Sequence, residues 1–342
     1  MAVDPVPYVV HGAKHSADVF RQSLFDNTGG AAGVSSGTSL HVRQTGTPSN
    51  QVRVNPGGVI IPNTYSGGAG QSYTGRNASE TLVSVPASDS TGPRTWNIIF
   101  RVQDPQFGGP APSDPLEGPY SFIECVAKSA TVSDPHYVLA EITVPASTAT
   151  ITNAMITSKR KLAMPKREQL MFGRPRVSAD MSRSLGYSVA DGGEYFPGGG
   201  GNPNTFEVDV PTWATRIMID AAWMSVRYAG GTNPYGEYWI EYGDEYKNRT
   251  WPNNQQFEFA TQHFAFDSEG AAGTGRRDWR LMSSQHMPAK LRGKTITIAF
   301  KAGRLDTAFP ATAVQMDAVS GLGMHIAFVE TTLDPVTQEE PA

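Results

Sequence analysis

The residues best equipped for chemistry cluster between 220 and 251. Asp220, Glu237, Glu241, Asp244 and Glu245 are interspersed there with Trp223, Tyr235, Tyr238, Trp239, Tyr242, Tyr246 and Trp251. Flat rings stack on the apolar faces of pyranoses, and carboxylates accept hydrogen bonds from their hydroxyls. The mixture therefore suits a carbohydrate-binding surface, with Tyr235, Tyr238, Trp239, Tyr242 and Trp251 as the candidate glycan contacts; Trp279 and the Arg276-Arg277 pair could border it. A pair of these carboxylates facing a cleft, Glu237 and Glu241 foremost, would have the equipment for glycoside hydrolysis. The competing reading needs no ligand: aromatic residues alternating along a strand fill a sandwich core while their acidic neighbours face water. At the level of sequence both readings stay open.

Other chemistry is thinly supplied. His11 and His15 are four residues apart, a spacing that puts two imidazoles on one helix face, but no Glu or further His lies nearby to complete a zinc site. His263, His286 and His325 fall on or beside expected strands, as packed or surface imidazoles. The nucleophile elbow, the phosphate-binding loop, the His-Glu-x-x-His zinc motif and the EF-hand loop are all missing. We therefore expect no catalytic residues, no metal and no cofactor. Cys125, the one cysteine, cannot form an intrachain disulfide; within Ser121-Phe122-Ile123-Glu124-Cys125-Val126-Ala127 it reads as a buried small hydrophobe.

The elements that must hold these residues are short and β-rich. A chain of 342 residues exceeds what one core comfortably serves, so two domains are expected. With 35 glycines and 25 prolines it is rich in turns, and 18% charged against 10% aromatic residues is the balance of a globular protein. The net charge of −4 offers no basic field for phosphates, so no nucleic-acid partner is expected. Residues 1–7 show no basic-then-apolar leader, and no apolar run is long enough for a membrane span.

Residues 15–25, with Phe20 and Leu24 four apart and Asn27-Thr28-Gly29-Gly30 as a stop, predict one short N-terminal helix. Strands are predicted at 40–43, 51–54, 59–61, 73–76, 81–85, 96–102, 122–127 and 138–144, and Asn55-Pro56-Gly57-Gly58 is a strong turn. A second series covers 206–210, 216–221, 237–242, 256–259, 295–300 and 324–329. Between them the basic residues of Ser158-Lys159-Arg160-Lys161 and Met164-Pro165-Lys166-Arg167, then Gly173-Arg174-Pro175-Arg176 and the Gly/Pro stretch 191–204, read as a solvated connector. The expected organisation is all-β: an N-terminal β-domain over 1–165, an extended Gly/Pro-rich connector over 166–204, a C-terminal β-sandwich over 205–332 and a tail over 333–342. In the second domain Ile296, Ile298 and Phe300 must share a core face.

Several ordered segments resemble minor tail proteins of tailed bacteriophages that infect actinobacteria. They are His15 to Arg21, Thr28 to Val34, Val52 to Ile61, Gly70 to Asn77 and Thr95 to Asp104, followed by Val208 to Thr215 and Pro288 to Gly293. Asn97 stands where the family's strand usually carries Asp. The resemblance covers most of the chain and consists of turns and strand starts, which identify a fold rather than a reaction. It implies a virion component at the distal tail, with the N-terminal β-domain docked on the tail tip and the C-terminal one facing outward. It further implies a homo-oligomer built on a threefold axis, other tail-tip proteins as partners, and a part in host attachment, including a cell-envelope glycan if the second domain is a receptor binder. It supplies no catalytic residues.

Overall fold

The computed structural model describes residues 10–177, 183–198, 204–242, 261–267, 273–305 and 308–332. The chain divides into two compact units, one built on Met1–Pro165 and the other on Lys166–Glu330. Both are antiparallel β-structures of sandwich type, and no described helix is long and apolar enough to cross a membrane.

The first unit runs α1 (Ala17–Thr28), β1 (Gly33–Val34), β2 (Val42–Gln44), β3 (Gln51–Val54), β4 (Gly57–Pro62), β5 (Ser72–Asn77), β6 (Thr81–Ser84), β7 (Arg94–Val102), β8 (Ser121–Ala127), β9 (His136–Val144) and β10 (Ile156–Ser158). Its sheets are β10-β9-β7-β8, β1-β4-β5 and β2-β3-β6. Alternating side chains such as Val52 and Val54, Val59 and Ile61, and Ala140, Ile142 and Val144 converge on one core. The Pro56-Gly57 turn joins β3 and β4, which belong to different sheets, so it is a corner between layers rather than a hairpin. Gly57 takes φ +153°, and a Cβ there would collide with Ser39.

Helix α1 starts on Ser16, whose Oγ accepts from the Val19 N–H at 3.3 Å, and stops at Gly29 in the left-handed region. The helix has no fully buried residue, and Phe20 stays 50% exposed. Polar contacts fasten it instead. Arg21 pairs with Asp18 at 2.7 Å and Asp104 at 3.2 Å, donates to Gln71 at 2.6 Å, and lies over the Tyr73 and Phe107 rings.

The second unit comprises β11 (Arg167–Arg174), β12 (Arg183–Ser184), β13 (Glu194–Tyr195), β14 (Thr205–Asp209), β15 (Arg216–Ala229), β16 (Tyr235–Tyr242), β17 (Thr261–Ala265), β18 (Thr274–His286), β19 (Thr295–Arg304), β20 (Val314–Met316) and β21 (Gly321–Val329). Setting aside the short β12, β13 and β20, one sheet is ordered β11-β21-β15-β18 and the other β14-β19-β16-β17. In chain order these are the first, eighth, third and sixth strands against the second, seventh, fourth and fifth. That is the double Greek key of a jelly roll. Ile296, Ile298 and Phe300 do share the face turned to its core.

The connector expected over 166–204 is corrected. Residues 167–174 form β11, in register with β21 from Arg167↔Val329 to Arg174↔Leu322. Its basic residues mislead because Leu170 and Phe172 pack inward between them. Glu194–Tyr195 pairs with β19, while most of the glycine run after Pro197 lies outside the described residues, as do the predicted strand 256–259 and the tail 333–342. The basic cluster before the boundary is not wholly solvated either: Arg160 is buried in the first unit and donates to the Gly37 and Ser39 carbonyls at 2.9 and 2.8 Å.

Cys125 sits on β8, half-buried against the first core, where burial pushes its thiol up to about 11. His41 is buried near the same Arg160. Burial first, then the charges of Arg160, Arg43 and Arg53, drive its imidazole from 6.5 down to about 3. Between those values the unfolded chain holds a proton that the folded chain refuses, so stability present above pH 6.5 falls as the pH drops. We expect urea unfolding of the first unit to lose up to ~1.4 kcal/mol per pH unit below 6.5 from this residue. Comparing His41→Gln with the parent at pH 7 and pH 5 checks it: a variant with the parent's pH dependence shows that His41 is not the source.

Candidate functional site

Strand β16 carries four of the five candidate glycan contacts, and pairing on both sides fixes which way each points. It lies between β17 and β19, with Tyr238 opposite Gln262 and Ala302, and Trp239 opposite Thr261 and Lys301. Side chains alternate across a strand, so Tyr238, Ile240 and Tyr242 face one side and Glu237, Trp239 and Glu241 the other. Tyr238 and Tyr242 belong to the jelly-roll core. The Tyr238 ring stacks on Trp279 of the opposite sheet at 4.9 Å and meets Trp223 edge-on at 5.1 Å, and its hydroxyl donates to the Arg280 carbonyl at 3.0 Å. Burial raises the Tyr238 phenol above its ordinary value.

The other side of β16 is closed as well. Trp239 is fully buried beneath the segment that carries β13. Gly193, at φ +62°, lies so close that a Cβ there would collide with the Trp239 ring and the Ala302 carbonyl. Trp239 donates its indole N–H to Glu241 at 3.1 Å, and the Lys301 ammonium approaches Glu241 at 3.9 Å while resting over the Tyr195 ring. Glu194 of the covering segment accepts the Gly186 and Tyr187 N–H groups, and burial raises its carboxyl above the usual range. Glu237 is buried on this side too, 3.7 Å from His263.

A stacking surface made of Tyr238, Trp239 and Tyr242 is therefore corrected. All three rings are buried, two in the main core and one under the 186–198 segment, and a sugar cannot reach their faces. Tyr235, at the strand's start, is 44% exposed; Trp251, the fifth candidate, lies outside the described residues. Trp279 is a core residue, Arg277 covers the Phe266 ring, and Arg276 forks onto Asp317, holding that carboxyl below its usual range. Glu237 and Glu241 share a side of the strand with Trp239 between them, about 13 Å apart at four strand residues, rather than facing each other across a cleft. Among the described residues no three His, Cys, Asp or Glu side chains group as metal ligands. His15 instead packs edge-on against Phe20.

The surface feature missed by sequence reasoning is a set of exposed methionines on the outer face of β11-β21-β15-β18. Met171, Met218, Met224 and Met282 belong to it. The signal was present as Met218 and Met224 at an even spacing of six on β15, which puts both on one side, but periodicity alone does not say which side of a strand is covered.

No family model matches the chain, and no curated protein matches it. Among solved structures it is similar to infectious bursal disease virus, Gx strain, at 12% identity over 89% of this chain and 68% of that one, with a TM-score of 0.26. The VP2 subviral particle of the same virus gives 11% identity, 92% and 78% coverage and a TM-score of 0.25. Turnip yellow mosaic virus gives 7%, 51% and 86%, and 0.18. Scores of this size do not establish a common fold, so the reading that follows rests on the chain's own topology and sequence.

The buried pair on the covered side of β16 yields a test. Glu241→Gln or Lys301→Met alone removes one member of this buried pair and should cost about 3–5 kcal/mol, whereas the double variant should recover part of that loss. Denaturant unfolding of the four proteins measures the coupling, and additive losses would show that the two side chains do not compensate each other.

Proposed function

We propose that the protein is a non-enzymatic structural component of a virion: a minor tail protein at the distal tail of a tailed bacteriophage infecting actinobacteria. In this reading it assembles as a homotrimer beside other tail-tip proteins and contributes to host attachment. The observation that carries the structural role is the burial of Tyr238, Trp239 and Tyr242. The aromatic content that could have served a glycan is spent on holding sheets together. The tail location is supported by the resembling segments, which run in order from His15 to Gly293 and span both units. Two compact β-units on one chain suit a part in which one unit docks and the other serves further partners.

Immunogold electron microscopy of purified virions, with antibody raised against the full chain, tests the location. Label should gather at the tail end remote from the head; label on the head or along the tube, or none at all, would overturn the reading. Trp239→Ala should lower the melting temperature and the amount incorporated into virions together. Loss of glycan binding by that variant at an unchanged melting temperature would instead restore the receptor reading.

A further inference from the structure

The sheet β11-β21-β15-β18 turns one face to the aromatic core and leaves the other to solvent. Met171 and Met282 stand on the outer face at 83% and 75% exposure, with Met218 and Met224 between them. Small residues separate these side chains: Gly173 on β11, Gly323 and Ala327 on β21, and Ala222 on β15. The relief is two hollows on either side of a central row that contains Asp220 and His325. Arg280 pairs with Asp220 at 3.2 Å, Arg216 donates to Ser284 at 3.0 Å, and Arg167 lines one of the hollows, so arginines border the apolar patch. Flexible, polarisable methionines over small residues make an adaptable contact surface.

We propose that this face is a self-association site, and that its occupant is the same face of a second copy of the chain. The strand registers carry the argument. Read across the sheet from β11 to β18, the central row is Met171, His325, Asp220, Met282. The row on one side is Gln169, Ala327, Met218, Ser284, and on the other Gly173, Gly323, Ala222, Arg280. A copy turned about an axis parallel to the strands presents each row in reverse. His325 then faces the partner's Asp220, Met171 faces the partner's Met282, and Met218 enters the space over the partner's Ala327. An axis running across the strands would set each strand upon itself and put Asp220 against the partner's Asp220. The first arrangement sets an imidazole against the Asp220 carboxylate and the second sets two carboxylates together, so polar complementarity favours the first.

Packed sheets cross at about 30°, which displaces the corners of the patch most and the central row least. Four strands at ~4.8 Å spacing and seven residues at ~3.3 Å give a footprint of about 450 Å² per copy, at the small end of specific interfaces. The association is consequently concentration-dependent. A threefold assembly about an axis of the same direction also sets the β11-β21 half of one copy against the β15-β18 half of the next. The proposal thus deepens the homo-oligomer reading above but does not depend on where in a virion the protein sits.

Single-cysteine proteins test the pairing. In the full chain carrying Cys125→Ala, Met171→Cys and Met282→Cys are prepared separately, then treated alone and as a mixture with a bis-maleimide matched to the ~10 Å spacing of packed sheets. The mixture should yield covalent dimer at least ~10-fold above either variant alone. Equal yields from the separate variants, or none from the mixture, would overturn the half-against-half pairing. Sedimentation equilibrium supplies the second measurement: Met171→Glu with Met282→Glu should weaken association at least ~10-fold at an unchanged melting temperature, since both side chains are exposed. A parent that stays monomeric at high micromolar concentration, or a double variant that associates as tightly as the parent, would sink the proposal. Absence of gold label from the distal tail bears on the location alone and leaves these outcomes standing.

Discussion

The second unit depends on one ring on which two others stack. Trp279, on β18, is stacked by Tyr238 at 4.9 Å and by Phe264 at 4.5 Å, both from the opposite sheet. Trp223, beside it on β15, meets Phe300 edge-on at 4.8 Å and donates its indole N–H to the Phe196 carbonyl at 2.8 Å. Aromatic pairs at these separations add to the burial of their area and favour particular angles, so they fix the registry of the two layers as well as the distance between them. Everything else in the unit follows from that clamp. The side chains beside Trp279 on β18 must point outward, and the Tyr238 ring of β16 that helps complete the clamp cannot also serve a ligand.

Much of the first unit and half of the second were legible because one face of each strand is apolar. Ile98 and Phe100 in β7 and Ile296, Ile298 and Phe300 in β19 announce themselves by alternation. Two long strands escaped. β18 shows only Trp279 and Leu281 as strong apolar markers among Arg276, Arg277, Asp278 and Arg280, and β11 hides Leu170 and Phe172 among basic and polar neighbours. Both lie at an edge of the sheet, where outward positions are free to be charged. The candidate site failed for the opposite reason. On β16 both sides are covered, so Trp239 and Glu241 hold the alternate positions that an ordinary amphipathic strand would give to water. Alternation establishes that Tyr238 and Trp239 point in opposite directions, but not that the 186–198 segment lies over one of them.

Charge plays a different part in the first unit. Arg160 lies in a run of basic residues that reads as a solvated connector, yet its guanidinium is enclosed and met by two backbone carbonyls. Its field is felt by His41, which stays neutral in the fold. Arg21 does the converse at the surface, where ion pairs, amide contacts and two rings hold a helix that has no buried residue of its own. Guanidinium suits both tasks, since its planar fork satisfies several acceptors at once and its face rests on aromatic rings.

The two outer faces of the jelly roll are finished in opposite ways. On the β14-β19-β16-β17 side, Trp239, Glu241 and Lys301 are roofed by the chain's own segment around Gly193, and that roof requires a glycine at close approach. On the β11-β21-β15-β18 side nothing from the described chain covers the methionines, and the smallest side chains lie between the most exposed apolar ones. Internal cover removes one face from intermolecular use. The open face inherits that role, because exposed apolar surface gathered on one sheet gains by burial against a surface of matching relief. A single registry decides both outcomes: the pairing that sets Tyr238 against Trp279 inside the sandwich also sets Met171, His325, Asp220 and Met282 in one row outside it.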